Sequence, residues 1–570
     1  MSGPTESASW RMGNGFADLR FHTEVKKNIL MKLGLYSKSI LRIVFLFIFT
    51  IIASSSFSQK RDLSWEELRD QYEIPKWFAE ARFGIWAHWG AQSVPLLGGG
   101  WVAKHMYMQD VGAEWFGENA YPYHCKTYGH PSEFGFKDVI NEWKAQNLDT
   151  DALMKYFKGL GAKYFVVLAN HHDHFDNFNS TYHPWNSVNV GPKRDIVGEF
   201  KISAKKYGLP FGVSAHDVAF PNWWNPAFGS DATGPKKGVP YDVYMTKEDG
   251  KGKWWEGLDP VILYGLPPNK RTPEWLKQVK ETWVLRHIEL ATKYDVDMLW
   301  FDFKGFPYGE DGKEVSRAYY NYSLQKNGKI KGIVAGKIPN EPSIVKDVER
   351  GSVKDILPDP WQGTITFSKW FYKEDKPLKH NARTVIEMMS DIISKNGNLL
   401  LNVELFPDGT VPPKHKEILD SIGSWVNLNS KAIYASKPWK KYGDNLNSRL
   451  KAMDVTLAGE AIADGQKKQA VEENFTERTV ESPPFGHDEV RYTTKGNVLY
   501  IFVLNPVEGS IDLSSLGLKS TQEPHKISSI TMLGGKEEIS FKQDNVKLRL
   551  NIPGKRPNKF AAVFEVKGAL

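Results

Sequence analysis

Short apolar runs alternate with longer amphipathic segments from Trp65 onward, and this alternation limits the fold more than any other feature of the chain. Seven runs have the length and composition of buried strands, and five longer segments have helical spacing. Strands that alternate with helices form parallel sheets, and seven strands are one short of a closed barrel. We therefore predict an α/β fold with a (β/α)8-like (TIM-type) barrel at residues 60–435. The predicted strands are residues 83–88, 164–169, 211–215, 298–302, 333–335, 365–367 and 399–403; the predicted helices are residues 151–159, 196–207, 273–294, 381–394 and 413–427.

The pattern changes after Trp439. Four short alternating runs, at residues 498–505, 526–532, 546–551 and 560–566, are separated by Gly, Pro, Asn and Asp. Such runs are typical of antiparallel sheets, so we predict a C-terminal β-sandwich domain at residues 436–570. Its expected role is to buttress the barrel rather than to bind sugar.

The N-terminal region has the pattern of a signal peptide. Lys32, Lys38 and Arg42 precede an apolar run at residues 43–53, and small residues follow. This predicts a signal peptide at residues 31–58, cleaved near Ser58-Gln59, and a secreted or periplasmic protein without stable membrane insertion after cleavage. The alternative is an uncleaved anchor. Because a signal peptide stands near the start of translation, we expect residues 1–30 to be a non-native or disordered extension.

Charge and aromatic content indicate which classes of binding partner the chain suits. Residues 1–58 carry seven Lys and Arg against three acids, which leaves a net charge of only +3 for the rest of a chain whose total is +7. No basic run follows, so a nucleic-acid partner is not expected. The chain holds 20 Trp, 23 Tyr and 31 Phe, and aromatic faces of this kind suit stacking against sugar rings.

Polar side chains recur where predicted strands end. His88 closes the first strand, and His216 and Asp302 follow the third and fourth. The carboxyl ends of barrel strands meet at one face, where barrel enzymes hold their sites. We therefore expect these groups to form one site, although each alone is compatible with a loop cap or a core hydrogen bond. The second strand is followed by three more histidines, His171, His172 and His174.

Four kinds of chemistry can be considered for such a site. Ser–His catalysis lacks a G-x-S-x-G motif, and phosphate binding lacks a glycine-rich loop before a helix. Glycoside hydrolysis needs two carboxyl groups, aromatic platforms and groups that bind hydroxyls, all of which are abundant here. A metal site has no H-E-x-x-H motif to support it, so no metal or other cofactor is expected. Its ligands would be His88, His171, His172, His174 and Asp302.

Several ordered motifs resemble the α-L-fucosidases of glycoside hydrolase family 29. The resemblance covers about residues 77–439 and implies a catalytic barrel, a following β-sandwich and a carbohydrate substrate with a fucosyl or related α-L-linked residue. The motifs include RFGIWAHWG (82–90), GAKYFVVLANHHDHF (161–175), DMLWFDF (297–303), NGNLLLNVELFPDG (396–409) and KAIYASKPW (431–439).

The resemblance also implies site residues. Asp302 matches the family's nucleophile, and Glu349 stands ahead of Trp361 at a spacing like that of the acid/base, with Glu341 and Glu310 as reserves. The implied reaction is exo-acting double displacement with retention, for which the two carboxyls should lie about 5 Å apart, whereas about 9 Å would suit inversion. The residues that match the sugar pocket are His88, Trp101, His171, His172 and Trp300.

Some positions depart from the family pattern. Gly100 stands where a Glu is usual, Asn170 replaces a usual Lys, His174 replaces a usual Gly, and no Tyr ends the third strand. These changes leave open an α-L-galactosidase, an enzyme for sulfated sugars, or an inactive carbohydrate-binding relative. Polar partners for such sugars would be His174, His216 and Lys304.

Overall fold

A computed structural model describes residues 61–109, 119–374, 377–446, 485–536 and 538–570 of the chain. The predicted signal peptide and the extension before it lie outside these residues, so both stay predictions. The chain divides into two compact units, Met1–Asp62 and Leu63–Leu570, and the account below concerns the second. Within the described residues, the helices are all too short or too polar to cross a bilayer.

Eight parallel strands close into a barrel in sequence order, which confirms the predicted fold class. The ring closes where β1 pairs with β8, with Phe83 opposite Leu399. The strands are β1 Phe83–Ala87, β2 Tyr164–Asn170, β3 Phe211–Ala215, β4 Met298–Lys304, β5 Ile333–Lys337, β6 Ile344–Glu349, β7 Trp361–Thr366 and β8 Gly397–Asn402.

The strand missing from the sequence prediction is β6. Its sequence, IVKDVE, has no continuous apolar run because Lys346 and Asp347 interrupt it. Lys346 is exposed, whereas the buried carboxylate of Asp347 accepts hydrogen bonds from Gln362 Nε2 (2.8 Å) and Thr364 Oγ1 (2.9 Å) of β7. A buried carboxylate is tolerated where neighbours donate to it, and periodicity alone does not reveal those neighbours.

The five predicted helices are all present, and none of their ends differs from the prediction by more than one residue. An unpredicted long helix at Glu310–Asn327 packs through Tyr, Ser and Asn side chains and so lacks an apolar stripe. The helices are α1 Trp65–Asp70, α2 Lys76–Ala79, α3 Val102–His105, α4 Ala120–Thr127, α5 Phe136–Glu142, α6 Thr150–Gly159, α7 Ile196–Lys206, α8 Phe220–Trp223, α9 Pro260–Tyr264, α10 Pro273–Lys293, α11 Glu310–Asn327, α12 Ala382–Ser394, α13 Pro413–Leu428 and α14 Ser430–Ile433.

Large side chains fill the interior of the barrel. Gly84 of β1 faces the ring of Tyr164, and a Cβ at Gly84 would lie 2.3 Å from that ring, so only glycine fits there. Tyr164 in turn donates its hydroxyl to Gln362 Oε1 across the barrel (3.0 Å). The filled interior leaves the rim at the carboxyl ends of the strands as the place for a cavity. The interior apolar cluster comprises Phe78, Ala81, Trp86, Tyr164, Val166, Met298, Trp300, Ile333, Ala335, Val345 and Leu400.

Antiparallel sheets follow the barrel, as predicted. One sheet has the strand order β13-β16-β11-β10-β9 and the other β12-β15-β14, and side chains of both share one apolar core. This is the arrangement of a β-sandwich. The strands are β9 Lys437–Asp444, β10 Val490–Lys495, β11 Val498–Val503, β12 Gly509–Leu513, β13 Ser529–Met532, β14 Phe541–Gln543, β15 Leu548–Ile552 and β16 Ala562–Lys567.

Buried polar contacts join the sandwich to the barrel helices. Arg491 of β10 donates from Nε to Asp391 Oδ1 of α12 (2.7 Å) and from Nη2 to Glu489 Oε1 (2.8 Å). Removing one partner of such a buried pair typically costs about 3–5 kcal/mol. Trp425 Nε1 of α13 also donates to the Ala561 carbonyl (2.7 Å). These contacts fit the predicted role of the sandwich as a buttress.

Candidate active site

A cavity of about 260 Å³ opens at the carboxyl ends of the barrel strands. All of the described residues that line it come from the barrel and its loops, at positions between 86 and 379. The cavity contains eight of the nine residues predicted for the site. Its lining is Trp86, His88, Gly99, Gly100, Trp101, His171, His172, His216, Trp300, Asp302, Lys337, Glu349, Arg350, Thr366, Ser368, Lys369, Trp370 and Lys379.

One side of the cavity is a wall of four histidines, which we call the imidazole wall: His88, His171, His172 and His216. They follow β1, β2 and β3, whose pairing brings their carboxyl ends side by side. The ring centroids of His88 lie 5.1 Å from His171 and 4.9 Å from His216. The wall therefore presents several ring nitrogens to one small space.

Burial keeps three rings of the imidazole wall uncharged, those of His88, His171 and His172. It lowers the pKa of His88 and His171 well below the ordinary value, and repulsion from neighbouring histidines adds to the effect. Burial also lowers the pKa of His172 to about 4, although the nearby Asp302 carboxylate opposes the change. At neutral pH these rings are neutral and can donate one hydrogen bond and accept another.

Hydrogen bonds set which nitrogen of two rings carries the proton. Gln92 Nε2 donates to His171 Nδ1 (2.9 Å) and to Asp173 Oδ2 (2.9 Å), so His171 keeps its proton on Nε2. His216 Nδ1 lies 3.1 Å from Asp302 Oδ2, and an ionised carboxylate only accepts, so His216 Nδ1 donates. His216 Nε2 is buried without a hydrogen-bond partner among the described residues.

A second side of the cavity carries charges, and it adjoins the imidazole wall where Asp302 contacts His216. Lys337, at the end of β5, donates from Nζ to Asp302 Oδ1 (2.9 Å) and also to Glu349 Oε2. Asp302 comes from β4 and Glu349 from the last residue of β6. We call Asp302, Lys337 and Glu349 the carboxylate–lysine triad. Their side chains are about one-quarter exposed: 24%, 26% and 26%.

In the triad, ion pairing affects the pKa values more strongly than burial does. Burial by itself would raise the pKa of Asp302, but Lys337 and the hydrogen bond from His216 hold that pKa well below its usual range. Burial would likewise lower the pKa of Lys337, but Asp302 and Glu349 raise it. Asp302 is therefore an anion and Lys337 a cation at any working pH.

The triad also limits the distance between the two carboxylates. Each has an oxygen within one hydrogen-bond length of the same nitrogen, so the two oxygens are separated by no more than about 6 Å. Retaining glycosidases hold their carboxyls about 5–5.5 Å apart, and inverting ones about 6.5–9.5 Å. The bound of about 6 Å applies to the one pair of oxygens that share Lys337, and it falls between these two ranges.

Aromatic rings complete the floor and the mouth of the cavity. The ring of Trp300 lies 5.2 Å from that of Trp86 and 4.9 Å from that of His216. Trp101, from the long loop after β1, packs 4.9 Å from Trp223. These faces offer apolar surface beside the polar nitrogens, a combination typical of sugar sites.

A buried carboxyl group holds the loop after β7. Glu404 accepts hydrogen bonds from Thr366 Oγ1 (2.7 Å), from the Ser368 backbone amide (2.8 Å) and from the Lys369 backbone amide (3.2 Å). Burial raises the pKa of Glu404 to about 7. Because Thr366, Ser368 and Lys369 line the cavity, Glu404 fixes part of its wall without reaching it.

One predicted site residue lies outside the cavity. His174 stacks on Phe220, with 3.5 Å between ring centroids, and its Nδ1 lies 3.5 Å from Asp217 Oδ2. The backbone of His174 has a left-handed conformation (φ 63°), which turns its side chain behind the wall. His174 is therefore not part of the cavity, although it is close to His171 and His172 in sequence.

The two reserve acids are also elsewhere. Glu341 accepts from Trp65 Nε1 (3.1 Å), and Glu310 is 90% exposed at the start of α11. Lys304 ends β4 but does not line the cavity. Sequence reasoning missed Lys337, Arg350 and Glu404. The available signal for Lys337 was its place two residues after a predicted strand, the same signal that identified Asp302.

Three members of the imidazole wall can also be considered as metal ligands. Nitrogens of His88, His171 and His216 all lie within 4.8 Å of one another. Among the described residues this is the only group of three or more such side chains with that geometry. His171, however, has its proton on the nitrogen that would have to bind the ion, because Gln92 donates to the other one.

Comparison with known families decides the class of the chain. The protein-family model described as Alpha-L-fucosidase matches residues 48–431. The family model described as Alpha-L-fucosidase C-terminal domain matches residues 485–567. The chain belongs to the α-L-fucosidase family. It is thus a glycoside hydrolase of the α-L-fucosidase class, which confirms the resemblance seen in the sequence motifs.

Individual α-L-fucosidases are similar along most of their length. Tissue alpha-L-fucosidase of Rattus norvegicus is 26% identical over 516 residues, which cover 87% of this chain and 89% of that protein. The crystal structure of Thermotoga maritima alpha-fucosidase is 25% identical, with a TM-score of 0.61, and the match covers 88% of this chain and 99% of that one. The same enzyme in complex with fucose gives a TM-score of 0.60.

Against the α-L-fucosidase pattern, the departures noted in the sequence cluster around the imidazole wall. Gly100 lies against His171, and a Cβ at Gly100 would be 3.1 Å from that ring. Asn170 Oδ1 accepts from the His216 backbone amide (3.2 Å), and Asn170 Nδ2 donates to Asp176 Oδ1 (3.2 Å). These residues alter the space and hydrogen bonding around the wall and leave the triad intact.

Proposed function

We propose that this chain is an exo-acting, retaining α-L-fucosidase that removes terminal α-L-fucosyl residues from oligo- or polysaccharides by double displacement. The observation that carries the proposal is the single Lys337 nitrogen shared by Asp302 and Glu349. It keeps two carboxylates close enough to allow the separation that retention requires, in a cavity small enough for one sugar ring. Family membership supports the identity of that sugar.

Asp302 is the nucleophile in this proposal. Its low pKa leaves the carboxylate ionised, as attack on the anomeric carbon requires. Hydrogen bonds from His216 to Oδ2 and from Lys337 to Oδ1 hold both oxygens in place. Such orientation lowers the barrier because the attacking atom needs little reorganisation.

Glu349 is the acid and then the base. As an acid it must carry a proton and face the glycosidic oxygen, so the entering substrate has to separate Glu349 from Lys337, with which it is paired in this structure. In this step Lys337 remains with the ionised Asp302. After attack, Asp302 is an uncharged ester, and Lys337 stabilises the Glu349 carboxylate that takes a proton from water. One lysine thereby serves both steps.

The imidazole wall binds the sugar hydroxyls. His171 donates from Nε2, and the neutral rings of His88 and His172 can each donate one hydrogen bond and accept another, so the wall offers both roles that hydroxyls require. Trp300 and Trp86 supply apolar surface for the methyl group at C5 of fucose. Neutral rings bind hydroxyls without bringing positive charge close to the developing oxocarbenium ion. The proposed reaction uses side chains alone.

The test is covalent trapping together with the stereochemistry of the product. A fluorinated fucosyl donor should label Asp302 in a peptide map, and NMR of the first product from p-nitrophenyl α-L-fucoside should show the α anomer. The Asp302→Gly variant should lose at least about 10⁴-fold in kcat/KM. A first-formed β anomer, or a label on another residue, would reject the mechanism. Faster hydrolysis of p-nitrophenyl α-L-galactoside would instead reject the fucosyl specificity.

We also propose that the enzyme is secreted or periplasmic. The support is the sequence of residues 31–58, with its basic start, short apolar run and small residues. N-terminal sequencing of the mature protein should find Gln59 or a residue close to it. A mature chain that retains residues 43–53 would contradict cleavage.

A further inference from the structure

Arg350 directly follows the proposed acid/base and has an unusual backbone conformation. Its φ is 54°, in the left-handed region that residues other than Gly, Asn and Asp seldom occupy. The Arg350 amide donates to the Thr364 carbonyl (2.7 Å), which ties the residue to β7. Strained positions of this kind cluster at functional sites. Here the strained residue is one that lines the cavity.

The guanidinium of Arg350 has nothing to neutralise it among the described residues, where it forms neither a hydrogen bond nor an ion pair. Lys369 and Lys379 line the same cavity, although each has other interactions. Burial, together with the charges of Lys379 and Arg350, lowers the pKa of the nearby His380 to about 4. Arg350 is therefore a cation of the cavity lining that pairs with no acidic side chain among the described residues.

The chemistry indicates what that charge would face. The acid must reach the glycosidic oxygen, so the leaving-group sugar lies against Glu349. Arg350 is the next residue along the chain and lines the same cavity. It follows β6, which stands four strands from β2 in the ring of eight, and β2 is the strand that precedes His171 and His172. In the proposed function the fucosyl ring binds to the imidazole wall. Arg350 is therefore expected to contact the leaving-group sugar.

We propose that Arg350 forms an anion-binding subsite for the leaving-group sugar, so that the enzyme prefers fucosides whose aglycone carries a sulfate ester or a carboxylate. The guanidinium matches either group, because both accept two parallel hydrogen bonds from it. The inference rests on the proposed function, since it requires Glu349 to face the leaving group. It adds a substrate class, an anionic glycan, to that function.

The experiment compares three fucosyl disaccharides that differ only in the leaving group: galactose, galactose 6-sulfate and galacturonate. At low ionic strength, kcat/KM should be about tenfold higher for one or both anionic substrates than for the neutral one. The preference should shrink as NaCl is raised to about 0.5 M, because salt screens charges at a partly exposed site. Comparison of the sulfated with the carboxylated substrate identifies the preferred anion.

The variants test whether Arg350 carries the preference. Arg350→Asn suits the left-handed backbone, so the fold should be kept, and the ratio of anionic to neutral kcat/KM should fall to about one. Arg350→Lys should retain part of the ratio. Lys354→Gln removes an exposed cation on the same segment and should leave the ratio as in the wild type.

The outcomes separate this inference from the proposed function. If the neutral disaccharide is cleaved and the anionic ones are cleaved no faster, the subsite is refuted while the fucosidase stands. A preference that survives in Arg350→Asn refutes the assignment to Arg350. If none of the three is cleaved and p-nitrophenyl α-L-fucoside also resists, the proposed function itself fails.

Discussion

Two sides of one cavity respond to burial in opposite ways. On the imidazole wall, burial dominates and the pKa values of His88, His171 and His172 fall, so the rings are neutral. In the carboxylate–lysine triad, burial is opposed by partners of opposite charge, and Asp302 and Lys337 both stay ionised. The difference shows that depth alone does not decide protonation. What decides it is whether a counter-charge lies within hydrogen-bond distance.

Glu404 is a third case beside these two sides. Its side chain is fully buried and accepts several hydrogen bonds, but among the described residues the nearest basic side chain is His415, at 3.6 Å. Burial lowers the pKa of His415 to about 4, so that ring is neutral at pH 7. Without a cation, burial prevails and the pKa of Glu404 rises to about 7. Hydrogen bonds alone do not lower the pKa of the buried Glu404 carboxyl in the way that the Lys337 cation lowers the pKa of Asp302.

The largest effect is expected from removing the counter-charge of the triad. Lys337→Met should lower kcat for p-nitrophenyl α-L-fucoside about 10²-fold, because both carboxylates lose their stabilising partner. The pKa of Asp302 should rise, so the acidic limb of the kcat/KM profile should move to higher pH. Lys331→Met, an exposed residue just before the other end of β5, is the matched control and should change little. An unshifted acidic limb would show that Lys337 does not set the charge of Asp302.

A smaller effect is expected on the imidazole wall. His172→Gln keeps a neutral donor and acceptor but misplaces them, so kcat/KM at pH 6 should fall about tenfold. In the wild type, His172 gains a proton as pH falls through about 4, and that charge should depress activity. The variant cannot titrate there, so its decline near pH 4 should be shallower. His525→Gln, exposed in the sandwich, controls for general effects. A decline as steep as in the wild type would contradict the assignment.

The smallest effect on turnover, within about twofold, is expected at Glu404, where stability is the better readout. Its pKa rises from 4.5 in the unfolded chain to about 7 in the folded one, so the folded state binds the extra proton between those values. This contribution to stability is complete below pH 4.5 and is lost as pH rises through 7, with a slope of at most about 1.4 kcal/mol per pH unit.

Glu404→Gln should remove that slope in urea unfolding measured at pH 5, 6 and 7. The exposed Glu417→Gln of α13 is the control and should keep the wild-type slope. Equal slopes in wild type and Glu404→Gln would mean that a counter-charge, rather than burial, sets the protonation of Glu404, and the contrast with Asp302 would disappear.

Much of the fold and part of the site were predictable from sequence. Seven strands showed as apolar runs because barrel strands are buried on both faces. His88, His216 and Asp302 were identifiable because each stands where such a run ends. The strand β6 was not predicted because Asp347 interrupts its apolar pattern. The residues that donate hydrogen bonds to the buried Asp347 carboxylate, Gln362 and Thr364, are on another strand.

The sequence by itself determined the barrel, the following sandwich and the family, because periodicity and ordered motifs are local properties of a chain. Only the tertiary structure decided that Lys337 bridges Asp302 and Glu349, that His174 lies behind the wall, and that Arg350 lines the cavity. Charge state and contact depend on distances between residues far apart in sequence. Those distances exist only once the strands have closed into a ring.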